Sequence, residues 1–140
     1  YQVLGQHQGL SLYTIGQKAE IGGPGPFYVV ELNQKDNTLI VTNNFNNQRL
    51  YKKNLIAEKV NWISGQEPPL PLKCEVKIRY RHPSVKSIIR LNPTNIKTKS
   101  QEKMYLIEFK KRQRAVTPGQ SVVFYQGDEV FGGGIIKIKN

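Results

Sequence analysis

The side chains able to do chemistry in this chain are few and scattered. It holds one cysteine, Cys74, and two histidines, His7 and His82. Cys74 shares an alternating face with Val76 and Ile78, which points to a buried structural thiol, because a reactive thiolate needs exposure and a base or cation beside it. Neither histidine has a carboxylate or cysteine at ligand spacing, so no metal site is expected. Gly132-Gly133-Gly134 lacks the Lys-Ser/Thr pair and the following helix of a phosphate loop, and a bend or a close approach of two backbones is its expected use. No Ser/His/Asp grouping or close pair of carboxylates can be assembled. By its own residues the chain reads as a binder rather than an enzyme.

The binding signals are stronger. With 21 Lys and Arg against 10 Asp and Glu, the net charge is +11, a balance that favours a polyanion such as RNA, DNA or an anionic membrane, and that also serves a plain solubilising surface. Lys77, Arg79 and Arg81 fall on one face of an alternating segment, with Tyr80 among them. That mixture suits phosphate contacts beside a stacked base or ribose, and an ordinary charged outer face fits it equally well. Lys110-Lys111-Arg112-Gln113-Arg114 is a second basic cluster, directly before the Pro118-Gly119 turn. It reads as an RNA-facing edge if both clusters share a rim, and as a solvated loop if they do not. Trp62 is expected to pack between domains rather than to stack on a base.

The elements that would position these residues are strands. Pro118-Gly119 presets a turn, and Gln120 to Tyr125 follows as a β-branched and aromatic run. Gly127-Asp128 reverses the chain before a last strand at Ile135 to Ile138. Upstream, Tyr1 to Gly9 and Leu10 to Gln17 read as strands, Ile21 to Pro26 as a loop, and Phe27 to Leu32 and Thr38 to Thr42 as a hairpin joined at Asn33 to Asn37. Leu55 to Ile63 reads as a strand, although Lys53 to Val60 also suits a short helix. Leu72 to Arg81 alternates, with Cys74, Val76, Ile78 and Tyr80 opposite Glu75, Lys77, Arg79 and Arg81, and Ser87 to Leu91 and Met104 to Phe109 complete the set. The expected fold is all-β, with a small β-rich domain over 1–64, a Pro-rich connector from Gly65 to Pro71, and an antiparallel β-barrel over 65–140. No apolar run approaches the roughly 18 residues of a membrane span, so a soluble chain is expected. Tyr1 in place of an initiator Met suggests a piece of a longer protein.

Several blocks, in order, resemble the C-terminal part of the tRNA-specific 2-thiouridylases. They are His7-Gln8-Gly9, Tyr13 to Lys18, Ile21-Gly22-Gly23, Tyr28-Val29-Val30, Val60 to Ile63, Lys77-Ile78-Arg79-Tyr80-Arg81, Ala115 to Gln120, and Phe124 to Asp128 through Gly132-Gly133-Gly134-Ile135-Ile136. The similarity covers essentially the whole chain. Lys18-Ala19-Glu20 departs from the family pattern, as does the basic stretch Lys110 to Arg114.

The resemblance implies an enzyme that adenylates the wobble uridine of tRNA with ATP and delivers sulfur from a cysteine persulfide. The ATP site, with Mg, and both catalytic cysteines belong to an N-terminal domain not found here, so no cofactor is expected in this chain and Cys74 is not a catalytic cysteine. The implied role is to grip tRNA with a central β domain and a barrel similar to domain 2 of translation elongation factors. By motif, Arg79, Tyr80 and Gln120 fall on tRNA-contacting positions, and Lys77, Arg81, Lys110, Lys111, Arg112 and Arg114 are additional candidates. The expected partners are tRNA and, for the full-length enzyme, a persulfide sulfur donor; a monomer, no membrane, and a bacterial cytoplasm or mitochondrial matrix complete the expectation. The competing reading is a free-standing RNA-binding barrel of the translation apparatus.

Overall fold

The computed structural model describes residues 2–22, 24–93 and 103–137. Tyr1, Gly23 and Ile138, which entered the expectations above, lie outside the described residues.

Two β units follow one another. The first is a three-stranded antiparallel sheet of β1 (Lys18–Ala19), β2 (Phe27–Asn33) and β3 (Thr38–Thr42), in that order. Its hairpin is the expected one. Asn33 caps the turn by accepting from the Asp36 N–H at 3.1 Å, and Asn37 takes the positive φ of 53° that asparagine tolerates better than most residues.

The second unit is a closed barrel of six strands in the order β4-β7-β6-β5-β8-β9. Its strands are β4 (Tyr51–Trp62), β5 (Leu72–Lys77), β6 (Val85–Leu91), β7 (Tyr105–Arg114), β8 (Ser121–Gln126) and β9 (Glu129–Ile136). Inward positions alternate along each strand, and Val76, Ile89, Ile107, Val122 and Phe124 are fully buried at the centre. Closure pairs β9 with β4 on one side and β8 on the other. A Cβ on Gly132, Gly133 or Gly134 would come within 2.8 Å of the carbonyl oxygen of Asn61, Val122 or Glu58 respectively. The glycines admit neighbouring backbones rather than turning the chain, and β9 runs through them.

Four expectations need correction. Residues 2–9 form no strand and are largely exposed, and Leu10–Leu12 is a 3-10 turn. Alternation there has no partner strand to complete a ladder, and the segment is pinned instead by His7, whose Nδ1 accepts from Gly9 N–H at 3.0 Å while Nε2 donates to the Asn37 carbonyl at 2.8 Å. The division at 64/65 falls between two strands of one barrel. β4 pairs with both β7 and β9, so the barrel starts at Tyr51 and the Pro-rich segment connects strands inside it. Trp62 accordingly packs within the barrel, stacked on Phe131 at 6.2 Å between ring centroids and edge-on to Tyr105 at 5.3 Å. Lys110 to Arg114 is not a loop but the outer part of β7.

Candidate nucleic-acid interface

Antiparallel pairing carries the starts of β4, β6 and β8 and the ends of β5, β7 and β9 to one end of the barrel. That end holds the Arg79–Tyr80 segment, the Pro118-Gly119-Gln120 turn and the Arg114–Ala115 corner. It also faces the three-stranded sheet. Leu50, Tyr51 and Ala115 pack into the apolar cluster of Ile15, Ala19, Val29 and Val30, so sheet and barrel share one core at this rim.

β5 stops at Lys77, and a turn closed by His82 N–H to the Arg79 carbonyl at 3.2 Å follows. Strand alternation therefore ends before Arg79, and Arg79, Tyr80 and Arg81 point in independent directions. Tyr80 and Arg81 occupy the two central turn positions. Tyr80 is 95% exposed, unlike the buried Cys74 and Val76 with which alternation grouped it. Arg79 turns back to the seam, where Nη2 donates to the carbonyl of Ile15 at 3.1 Å and that of Ala115 at 2.9 Å. Burial, then the nearby Arg114, lowers its pKa from the usual guanidinium value. Two charge-assisted hydrogen bonds, on the order of 1.5–3 kcal/mol each, hold it there against that repulsion. Its remaining N–H groups have no partner among the described residues.

Arg114 belongs to the same seam. Its guanidinium lies 3.9 Å from the centroid of the Phe45 ring, Nη2 donates to the Phe45 carbonyl at 3.3 Å, and Nε is buried without a partner among the described residues. Gly16 makes the approach possible: a Cβ there would meet Ala115 Cβ at 2.8 Å and Arg114 Nη1 at 2.9 Å, at a φ of 83°. Neither arginine has a carboxylate partner among the described residues.

The Pro118-Gly119 turn forms as its residue types require. Gln120 N–H donates to the Thr117 carbonyl at 3.2 Å, and Gly119 has a φ of 90°, the glycine position of a type II turn. Gln120 is tied by its backbone, its carbonyl accepting from Ile136 N–H at 2.8 Å, and its half-exposed side-chain amide has no partner among the described residues. In register it stands opposite the Tyr80 turn, because Lys77 pairs with Val123. The rim thus brings Arg79, Tyr80, Arg81 and Gln120 together.

Lys77 is set apart on the barrel wall, its Nζ 5.1 Å from the centroid of the Tyr125 ring. Lys110, Lys111 and Arg112 are exposed on β7, beside Lys52 and Lys53 of β4. That neighbourhood was not legible, since Lys52-Lys53 gains meaning only from the register of β4 against β7. Cys74 is buried, its pKa pushed up to about 12 by burial and then by Glu75. No group of three His, Cys, Asp or Glu able to hold a metal occurs among the described residues. At the opposite end of the barrel, a cavity of about 330 Å³ lies between Trp62, Tyr105, Lys59, Lys103 and Glu67. Glu67 accepts from the Tyr105 hydroxyl and pairs with Lys103 at 3.5 Å, so its charge is already engaged.

Comparison with known proteins follows the two units. Residues 52–136 match the family described as the aminomethyltransferase beta-barrel domain, and residues 1–43 match the tRNA methyl transferase PRC-barrel domain. The tRNA-specific 2-thiouridylase of Halothermothrix orenii is 46% identical over 138 residues, covering 96% of this chain and 35% of that protein. Those of Alkalilimnicola ehrlichii, 39% identical over 99% of this chain and 38% of the protein, and of Geobacillus thermodenitrificans, 42% identical over 96% and 35%, are similar throughout. The chain spans little more than a third of the length of these relatives. With residues 52–136 matched to the barrel family and nearly its whole length similar to these enzymes, the chain belongs to the tRNA-specific 2-thiouridylase family.

Proposed function

We propose that this chain is the tRNA-gripping part of a tRNA-specific 2-thiouridylase, with the rim of Tyr80, Arg81, Gln120 and the remaining N–H groups of Arg79 as its contact surface. The observation that carries the reading is the convergence at one barrel end of an exposed tyrosine, an exposed arginine and an unpaired amide, all on backbone fixed by turns. An exposed aromatic beside cations is the combination that stacks a base and holds its phosphate. The domain descriptions speak of methyl and aminomethyl transfer and the relatives of thiolation. The relatives match along the whole chain, and the reading follows them. ATP with Mg, the catalytic cysteines and the contact with a persulfide donor are assigned to other parts of the full-length protein, and the chain by itself is expected to form no 2-thiouridine.

Titration with a tRNA transcript and with duplex DNA of equal length tests this. Preference for tRNA is expected, and Tyr80→Ala is expected to weaken it by on the order of 1–3 kcal/mol, the usual worth of one stacked base. Gln120→Ala removes one neutral hydrogen bond, about 0.5–1.5 kcal/mol. Equal affinity for both nucleic acids, unmoved by Tyr80→Ala, would sink the reading.

A further inference from the structure

The pairing of β4 with β7 breaks at one place. Lys52 pairs with Gln113 and Asn54 with Glu108, so the single residue Lys53 faces the four residues Phe109, Lys110, Lys111 and Arg112. The surplus is a bulge, and all three of its residues beyond the buried Phe109 are cationic and exposed. Bulges re-aim side chains and here they aim charge outward.

The bulge is also held. Lys53 Nζ donates to the Lys110 carbonyl at 2.6 Å, and Gln113 Nε2 donates to the Lys111 carbonyl at 2.9 Å. Holding five cationic residues, Lys52, Lys53, Lys110, Lys111 and Arg112, on two adjacent strands repels, and no ion pair relieves Lys53, Lys110, Lys111 or Arg112 among the described residues. A fold that spends clamping hydrogen bonds on concentrating like charge has built a surface for a polyanion.

We propose that the β7 bulge, Lys110-Lys111-Arg112, is a second contact surface that binds backbone phosphates of RNA, separate from the Tyr80 rim and resting on the tRNA reading above. Strands about 4.8 Å apart carry the cations of β4 and β7 side by side, suiting a phosphate track that crosses the barrel wall. A membrane surface fits less well, because interfacial sites pair cations with exposed apolar side chains. Among the described residues, the exposed large apolar side chains all lie outside the bulge and its partner residues on β4.

The test is the salt dependence of tRNA binding for wild type and for the triple variant K110Q/K111Q/R112Q. Each lost phosphate contact flattens the slope of log K against log salt by about 1, so the triple variant is expected to lose about 3 while still preferring tRNA over duplex DNA. All three side chains are exposed, so the melting temperature should hold; if the triple variant fails to fold, Lys111→Gln alone should flatten the slope by about 1. An unchanged slope with tRNA preference intact overturns the proposal and leaves the tRNA reading standing. Wild-type binding to duplex DNA as tight as to tRNA, insensitive to Tyr80→Ala, overturns both. Binding to phosphatidylserine vesicles that the triple variant abolishes, with the tRNA slope unmoved, gives the bulge to a membrane and overturns the proposal.

Discussion

Arg79 and Tyr80 are neighbours in sequence and differ in what holds them. Arg79 joins Ile15 of the sheet unit to Ala115 of the barrel through one nitrogen, whereas Tyr80 touches solvent almost everywhere. Arg79→Ala is therefore expected to destabilise the fold by about 2–4 kcal/mol, since two carbonyls lose a charged donor, while Tyr80→Ala leaves the thermal midpoint unchanged. Calorimetry on the two variants separates these roles before any affinity is measured. A second residue-scale outcome concerns alkaline pH. Burial pushes Cys74 up to about 12, and burial, followed by the hydrogen bond to Glu67, does the same for Tyr105. Both thiol and phenol ionise near pH 8.5–10 in an unfolded chain. The native state then holds more protons than the unfolded state, so stability falls as pH rises from about 9 towards 12. Urea midpoints measured from pH 8 to 11 should drop less steeply for Tyr105→Phe.

At the scale of elements, the triple glycine and the bulge are two departures from a regular strand, and only one shows in the residues. Glycine names its own role: with backbone oxygens 2.8 Å from each missing Cβ, Gly133→Ala forces β8 and β9 apart and is expected to lower stability by about 1–3 kcal/mol, read as a shift in the denaturant midpoint. The bulge depends on register, a property of two strands jointly, and so Lys53 was legible only as part of an uncertain helix or strand. The same limit explains the opening segment. Leu10 to Gln17 alternates as a strand does, but alternation specifies a face and not a partner: Leu10–Leu12 forms a 3-10 turn, and only Gly16 and Gln17 bond to the backbone of β2, at Val29. Turns with local chemistry, the hairpin turn at Asn33 to Asn37 and the Thr117 to Gln120 link between β7 and β8, were readable because their hydrogen bonds close within four residues. The motif named Arg79, Tyr80 and Gln120 without placing them, and the inward turn of Arg79 was not legible, because its partners stand 36 and 64 residues away.

Across the whole molecule, the sheet and barrel are joined by a shared core around Leu50 and Ala115, with Ala115 N–H donating to the Leu50 carbonyl at 2.7 Å. Leu50, 1% exposed, is the largest fully buried side chain of that core. Leu50→Ala is expected to destabilise by about 2–5 kcal/mol and to raise amide exchange in β2 and β7 together; loss confined to β2 would mean that the barrel folds without its neighbour. The proline-rich stretch, legible as an irregular connector, misled as a boundary because proline marks a break in secondary structure, which occurs inside barrels as readily as between units. Trp62, the one tryptophan, sits at the barrel end remote from the rim, between Phe131, Tyr105 and Phe124. The molecule thereby carries its own optical gauge: indole emission reports whether the barrel is closed, and a nucleic acid seated at the far rim leaves its wavelength unshifted unless the strands themselves carry the signal across.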